Sequence, residues 1–279
     1  MLSAAQAGRP FVKMHGLRNH FVIADARENP YRPDVDTIIR ICDPQVGVGG
    51  DQLIVIEPPQ SREAQAFMRI YNVDGREVEA CGNATRCVGW LLLEEAEADA
   101  VVIETLAGLL RCRRAGELQV SSEMGAVSMR WQDIPLAEER ETLHLDFACG
   151  ELRNPAALSI GNPHVVFFVE SIDAIDLEKY APDIQRDRLF PNSVNVGIAE
   201  MQSASRMRLA VYERGAGLTA ACGSGACVAA YAARARGLTA EDRITVEMPA
   251  GPVDVEIRPD GSAVMTGPVA YCFHGELPD

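Results

Sequence analysis

The chain has 279 residues, of which 47% are hydrophobic and 24% are charged, and its net charge is −14. This composition is typical of a globular protein with a real core, and the acidic balance argues against a nucleic-acid partner. We find no apolar stretch of membrane-spanning length and no signal pattern in residues 1–10, so we expect no membrane partner and a cytosolic location. The eight cysteines should then be mostly reduced, and their spacing indicates neither a disulfide framework nor a metal site.

Short strands separated by turns dominate the first half of the chain. Compact β-type runs predict strands at residues 21–25, 53–57, 68–72, 100–104 and 109–113. Between them, the apolar period becomes helical over residues 83–98.

The second half repeats this order. It has predicted strands at residues 163–170, 194–200, 208–212, 243–248 and 253–257, and an alanine-rich helix at 226–236. We expect an α+β fold of two pseudo-symmetric domains, each a curved, mostly antiparallel sheet wrapped around a central helix, with the active site in the cleft between them. The expected halves are residues 1–126, to which 266–279 returns, and residues 127–265.

The repeat is clearest around two cysteines. Cys81-Gly82-Asn83 and Cys222-Gly223-Ser224 stand half the chain apart, so each half carries one copy. Two pairs of amides share a single offset that is nearly the same as that of the cysteines, namely Asn19 with Asn162 and Gln52 with Asn195. Each amide alone could belong to an ordinary turn, but the paired placement predicts the lining of a cleft.

Both cysteines precede a predicted helix, where unpaired N–H groups and the helix dipole favour a thiolate and can bind a carboxylate. Two thiols on opposite faces of one carbon could remove a proton and return one. Pyridoxal phosphate is not expected, because neither Lys13 nor Lys179 lies in a phosphate-binding context. The competing interpretation is that free cysteines are small packing residues, which we expect for the other six.

Four further side chains are candidates for the same cleft. His15 and His164 lie near Asn19 and Asn162, and either histidine could be supporting or merely structural. Glu213-Arg214 could bind an ammonium and a carboxylate group, with a solvated loop pair as the alternative.

These motifs, taken in order, resemble the diaminopimelate epimerase family. They are Met14-His15-Gly16-Leu17 with Asn19, Gly47-Val48-Gly49 with Asp51-Gln52, Asn72 with Asp74-Gly75, Ala80-Cys81-Gly82-Asn83 with Arg86-Cys87, Gly161-Asn162-Pro163-His164, Val194-Asn195-Val196-Gly197, Tyr212-Glu213-Arg214-Gly215 and Ala221-Cys222-Gly223-Ser224-Gly225-Ala226.

The resemblance implies a cofactor-free interconversion of LL- and meso-diaminopimelate by a homodimer, with Cys81 as proton donor and Cys222 as proton acceptor. It also implies substrate binding by Asn19, Gln52, Asn72, Gly82, Asn83, Asn162, Asn195, Glu213, Arg214, Gly223 and Ser224, with His164 in support. Arg18, His20, Ala84, Thr85 and Leu218 depart from the usual family residues.

Three alternatives stay open. A proline or hydroxyproline racemase would be expected to lack the amide set. A non-catalytic scaffold like the phenazine-biosynthesis relatives of this fold would be expected to lose a cysteine. A thiol–disulfide oxidoreductase would need a Cys-x-x-Cys motif, which the sequence lacks.

Overall fold

The computed structural model describes residues 8–79 and 81–277, so Ala80 and the outermost residues of the predicted first half lie outside the described residues. Two compact units are present. Described residues up to Ser122 and from Gly267 onward form the first unit, and Glu123–Thr266 forms the second.

The elements follow the chain in a repeated order. The first series is β1 (Arg9–Gly16), β2 (Asn19–Asp25), α1 (Val35–Cys42), β3 (Gln52–Glu57), β4 (Ala66–Asn72), β5 (Glu77–Val78), α2 (Gly82–Glu95), β6 (Ala100–Thr105), β7 (Gly108–Gly116) and β8 (Gln119–Ala126). The second is β9 (Ala148–Cys149), β10 (Leu152–Arg153), β11 (Ala156–Ser159), β12 (Pro163–Phe168), a 3₁₀ turn (Ile172–Ala174), α3 (Leu177–Gln185), β13 (Asn195–Ser203), β14 (Arg206–Glu213), β15 (Gly217–Thr219), α4 (Gly223–Ala235), β16 (Arg243–Met248), β17 (Gly251–Ile257) and β18 (Ser262–Pro268). The last strand, β19 (Ala270–Leu277), returns to the first unit.

The strand pairing repeats as well. β2 pairs parallel with β3, with Phe21 opposite Gln52, and β12 pairs parallel with β13, with His164 opposite Asn195. Along the sequence, the residues of the second pair follow those of the first by the same offset that separates Asn19 from Asn162. β4–β6 and β14–β16 are also parallel, and the other described pairings are antiparallel. The predicted duplicated α+β fold with mostly antiparallel sheets is confirmed.

Each unit packs its sheet around one central helix. In the first unit, α2 buries Cys87, Val88, Leu92 and Leu93 in a core shared with β2, β3, β4, β6 and β7. In the second unit, α4 buries a run of small side chains that includes Ala226, Cys227 and Val228. Small residues let the surrounding strands approach α4 closely, which holds this helix in place relative to its sheet.

Two helices were not predicted, and an aspartate caps the N-terminus of each. Asp34 caps α1 by accepting a hydrogen bond from Thr37 N at 2.8 Å, and Asp176 caps α3 in the same way through Lys179 N at 3.3 Å. The two caps stand at nearly the offset that separates the two cysteines, so these helices belong to the duplication too. None of the helices in residues 8–79 and 81–277 is both long and apolar enough to cross a bilayer.

Candidate active site

The first cysteine lies where β5 gives way to the central helix of its unit. Cys81 is the N-cap residue of α2 and has an extended backbone, with φ −148° and ψ 111°. Its Sγ lies 3.7 Å from Asn19 Oδ1, and the same oxygen accepts a hydrogen bond from Asn83 Nδ2 at 3.4 Å. Asn19, Cys81 and Asn83 therefore form one cluster at the start of this helix.

A tight hairpin turn places Asn19. Gly16 pairs with Asn19 across β1 and β2, and the two residues between them are left-handed, with φ 52° at Leu17 and 61° at Arg18. Two successive residues of this kind form the turn that matches the twist of a hairpin. Arg18 departs from the glycine usual in the resembled family, yet the turn keeps this geometry.

Gln52 and Asn72 form a second cluster in the same unit. They lie opposite each other on β3 and β4, and Gln52 Nε2 donates to Asn72 Oδ1 at 2.9 Å. Gln52 Oε1 is buried, and no hydrogen-bond partner for it is found within the described residues. An ammonium group of a ligand would be a suitable donor for that oxygen.

The second cysteine has the same position in its own unit. Cys222 is the N-cap residue of α4, with φ −127° and ψ 105°, and its Sγ lies 3.6 Å from Ser224 Oγ. Its backbone N–H donates to Met248 Sδ at 3.3 Å. Burial, with the negative charge of Glu213 as a second cause, raises the pKa of the Cys222 thiol well above 9.0. The backbone N–H of Gly225, in the first turn of α4, lowers this pKa as expected, but burial outweighs it, so the expected preference of Cys222 for the thiolate is wrong.

A partly buried polar cluster surrounds Ser224, in which His164 and Asn195 are the buried members. Its Oγ lies 3.0 Å from His164 Nε2 and accepts a hydrogen bond from Asn162 Nδ2 at 3.2 Å. Asn195 Nδ2 lies 3.4 Å from the same histidine nitrogen and donates to the Pro163 carbonyl at 3.0 Å. Burial, followed by the positive charge of Arg214, lowers the pKa of His164 to about 3, so its ring is neutral near pH 7.

Glu213 and Arg214 are held at the end of β14. Glu213 Oε1 accepts a hydrogen bond from Thr219 Oγ1 at 2.5 Å, which fixes the carboxylate. The Arg214 backbone N–H donates to Asn195 Oδ1 at 2.8 Å, and its Nη1 donates to the Asn192 carbonyl at 2.9 Å. The carboxylate and the guanidinium are thus both anchored by neutral groups, which leaves their charges available to a ligand.

The His15 ring packs against His20, with ring centroids 5.0 Å apart, because these residues face each other across the β1–β2 hairpin. One expectation about an individual residue differs from the structure. Cys272 is exposed on β19 and is not a core residue. Cys42, Cys87, Cys112 and Cys227 are buried, as expected.

Three residues in contact with the predicted set were not predicted as site residues. They are Asp51, which binds the Asn19 side chain, Arg86, which binds the Asn83 side chain, and Thr219. Within residues 8–79 and 81–277, no group of three or more His, Cys, Asp and Glu side chains could hold a metal ion. Each unit thus places one thiol near amide side chains, with Asp51 and Arg86 in the first unit and Glu213 and Arg214 in the second. Groups of these kinds suit proton transfer on a zwitterionic ligand.

Known proteins share both the sequence and the fold. The family model described as diaminopimelate epimerase matches residues 11–130 and 156–272. A diaminopimelate epimerase from Acidiphilium cryptum is 49% identical over 271 residues, which cover 97% of each protein.

Two solved structures have the same fold at low identity. A PhzF-family phenazine biosynthesis protein from Bacillus anthracis has a TM-score of 0.69 at 17% identity, covering 98% of this chain and 99% of its own. A hydroxyproline epimerase from Agrobacterium vitis has a TM-score of 0.67 at 15% identity, covering 98% and 91%. Because the sequence match spans nearly the whole chain, whereas these likenesses concern the fold alone, this chain belongs to the diaminopimelate epimerase family.

Proposed function

We propose that this protein interconverts LL- and meso-2,6-diaminopimelate without a cofactor, in the synthesis of lysine and peptidoglycan precursors. The observation that carries the proposal is the repeated cysteine turn: Cys81 and Cys222 each cap the central helix of a unit, with a polar cluster beside each sulfur. Family membership supports diaminopimelate as the substrate.

The mechanism needs one thiol for each face of the substrate α-carbon. We assign Cys222 as proton acceptor and Cys81 as proton donor in one direction, with the roles exchanged in the other. A raised pKa makes the Cys222 thiolate a strong base once it forms. When the substrate ammonium binds Glu213, it cancels the negative charge that opposes ionisation of Cys222, so binding and activation are coupled.

The helix starts would bind the substrate α-carboxylate. The N–H groups of Gly82 and Asn83 open α2, and those of Gly223 and Ser224 open α4. Such groups carry partial positive charge and stabilise the negative charge that develops as the α-proton leaves. Arg214 and the amides of Asn72, Asn162 and Asn195 would bind the distal amino-acid group, and His164 supports Ser224.

The testing experiment measures α-proton exchange with deuterated solvent for LL-diaminopimelate, L-lysine and L-proline. We expect exchange with diaminopimelate only, because a site that hydrogen-bonds a distal carboxylate rejects an analogue lacking it by about four orders of magnitude. Comparable exchange with L-proline would favour the racemase alternative. Exchange with none of the three would favour a non-catalytic scaffold.

The cysteine roles are tested by substitution. Cys81→Ala and Cys222→Ala should each abolish epimerisation and leave the circular dichroism spectrum unchanged. Cys149→Ala, at a half-buried cysteine outside both clusters, is the matched control and should keep full activity. Full activity in either of the first two variants would end the two-thiol mechanism.

We further propose that the protein acts in the cytosol as a homodimer. The supporting observation is β19, along which Tyr271 and Phe273 are each 46% exposed. Exposed aromatic side chains close together are typical of protein contacts. Light scattering should give twice the chain mass for the wild type and the chain mass for a Tyr271→Ser/Phe273→Ser variant; a monomeric wild type would contradict the proposal.

A further inference from the structure

Four side chains of the first unit form a continuous hydrogen-bonded row beside Cys81, which we call the Arg86–Asp51 network. Arg86 Nη2 donates to Asn83 Oδ1 at 2.6 Å, and Asn83 Nδ2 donates to Asn19 Oδ1 at 3.4 Å. Asn19 Nδ2 then donates to Asp51 Oδ2 at 3.2 Å. The network therefore begins at a cation and ends at an anion.

The two ends decide which way the amides between them point. A guanidinium can only donate hydrogen bonds, and a carboxylate can only accept them. Asn83 must therefore turn its oxygen to Arg86 and its nitrogen to Asn19, and Asn19 must turn its nitrogen to Asp51. Arg86 is 0% exposed, so water cannot readily replace it as the donor. The backbone N–H of His20, which also donates to Asp51 Oδ2 at 2.7 Å, holds the other end in place.

This direction has a consequence for the first cysteine. Because the Asn19 nitrogen is bound to Asp51, its oxygen is the atom presented to Cys81 Sγ, 3.7 Å away. A carbonyl oxygen accepts a hydrogen bond from a thiol and offers none to a thiolate. We propose that Asp51 and Arg86 are positioning residues that fix the orientation of Asn19 and Asn83, and thereby align the Cys81 thiol for proton transfer.

The second unit lacks both ends of this network. At the offset of the repeated amides, Asp51 falls opposite Val194, and at the offset of the two cysteines, Arg86 falls opposite Cys227. The central contact is kept but its direction is reversed: Asn162, the counterpart of Asn19, donates through Nδ2 to the Oγ of Ser224, the counterpart of Asn83. The groups around this contact are the neutral ring of His164 and the hydroxyl of Ser224, and each of them can donate or accept a hydrogen bond. The orienting charges are thus a feature of the Cys81 side.

The sharpest test is at Asp51, which is exposed and can be changed with little risk to folding. Both donors converge on the single oxygen Oδ2, so an asparagine can supply the same acceptor, held there by the His20 N–H. We expect Asp51→Asn to keep kcat within about threefold, and Asp51→Ala to lower kcat about tenfold or more while KM changes less. Asp25→Ala, at an exposed aspartate on the far end of β2, is the matched control and should be unchanged.

A second readout does not depend on the substrate. In Asp51→Ala, the Asn19 amide can turn its nitrogen toward Cys81, so the sulfur loses its acceptor and gains a donor. Alkylation of Cys81 by iodoacetamide at fixed pH, followed by peptide mass spectrometry, should then be severalfold faster than in the wild type. In Asp51→Asn and Asp25→Ala the rate should stay at the wild-type value.

The arginine end is tested by Arg86→Lys and Arg86→Met, with thermal melts to confirm folding. Lysine keeps a buried donor and should retain more activity than methionine, with Cys81 alkylation nearer to the wild-type rate. The kinetic readouts rest on the proposed function, whereas the alkylation readout does not, so a wild type without epimerase activity leaves this test intact. The inference is overturned if Asp51→Ala matches Asp25→Ala in Cys81 alkylation and in kcat.

Discussion

His164 should make the second unit sensitive to acid. The side chain is 1% exposed, and burial together with the charge of Arg214 lowers its pKa to about 3, from an ordinary value of 6.5. As the pH falls below 6.5, the unfolded chain takes up a proton on this ring that the folded protein does not. Stability is therefore complete above pH 6.5 and is lost progressively as the pH falls toward 3.

The loss of stability follows from the interval between the ordinary pKa of His164 and the pH of the measurement. One pKa unit corresponds to about 1.4 kcal/mol, so the unfolding free energy should decrease by about 2 kcal/mol between pH 7 and pH 5 through His164 alone. His164→Gln removes the titrating group and keeps an amide that can bond Ser224. This variant should be less stable than the wild type at pH 7, but its unfolding free energy should not show the decrease that His164 causes on going to pH 5.

The assay is urea unfolding at pH 7, 6 and 5, followed by circular dichroism. His144→Gln is the matched control, because His144 is exposed and the same chemical change should leave the wild-type pH dependence intact. Equal pH dependence in the wild type, His144→Gln and His164→Gln would refute the reasoning. So would a nuclear magnetic resonance titration in which the His164 ring takes up its proton near its ordinary pKa of 6.5.

Three further outcomes are expected. Arg69→Met should lower the unfolding free energy by about 3 kcal/mol, because it removes the partner at 3.0 Å from the buried Glu57 carboxylate and leaves it the exposed Arg32 at 3.2 Å. Arg76→Met, at an exposed ion pair, should change it little; equal effects in urea unfolding would contradict this. Arg18→Gly should raise the unfolding free energy by up to about 1 kcal/mol, because Arg18 has φ 61°, and a loss of stability would show that the turn is not strained. Glu213→Gln should lower the pH at which Cys222 is half-alkylated, because the carboxylate raises the pKa of that thiol, and an unchanged midpoint would remove Glu213 from the proposed activation.

The elements that could be predicted from the sequence are those whose buried residues form a local apolar pattern. The strands β3 and β6 are continuous apolar runs because both of their faces are covered, and the central helices show a helical period of small and apolar side chains. The short helices α1 and α3 were missed because most residues of α1 are β-branched, which is typical of strands, and because α3 contains Pro182. The strand β19 was missed because its side chains are mostly exposed and do not alternate.

Some features of the candidate site could likewise be predicted from the sequence, and others could not. The cysteines and amides could be predicted from chemistry and from the duplication, which needs only the order of residues. The high pKa of Cys222 could not, because it depends on how completely the folded unit buries the sulfur and on where it places Glu213. Thr219 carries no motif of its own, and only the pairing of β14 with β15 brings its hydroxyl to Glu213.

The duplication itself contained a signal for two of the missed residues. Aligned at the offsets of the cysteines and amides, the halves keep both thiols and the amide pairs Asn19 with Asn162 and Gln52 with Asn195. Asp51, in contrast, stands opposite Val194, and Arg86 stands opposite Cys227. A charge with an apolar counterpart cannot be needed for what both halves do, such as closing a sheet around a helix. We therefore expect such a charge to serve a role that only one half has. Since both charges meet the amides beside Cys81, the difference between the halves concerns how that thiol is held.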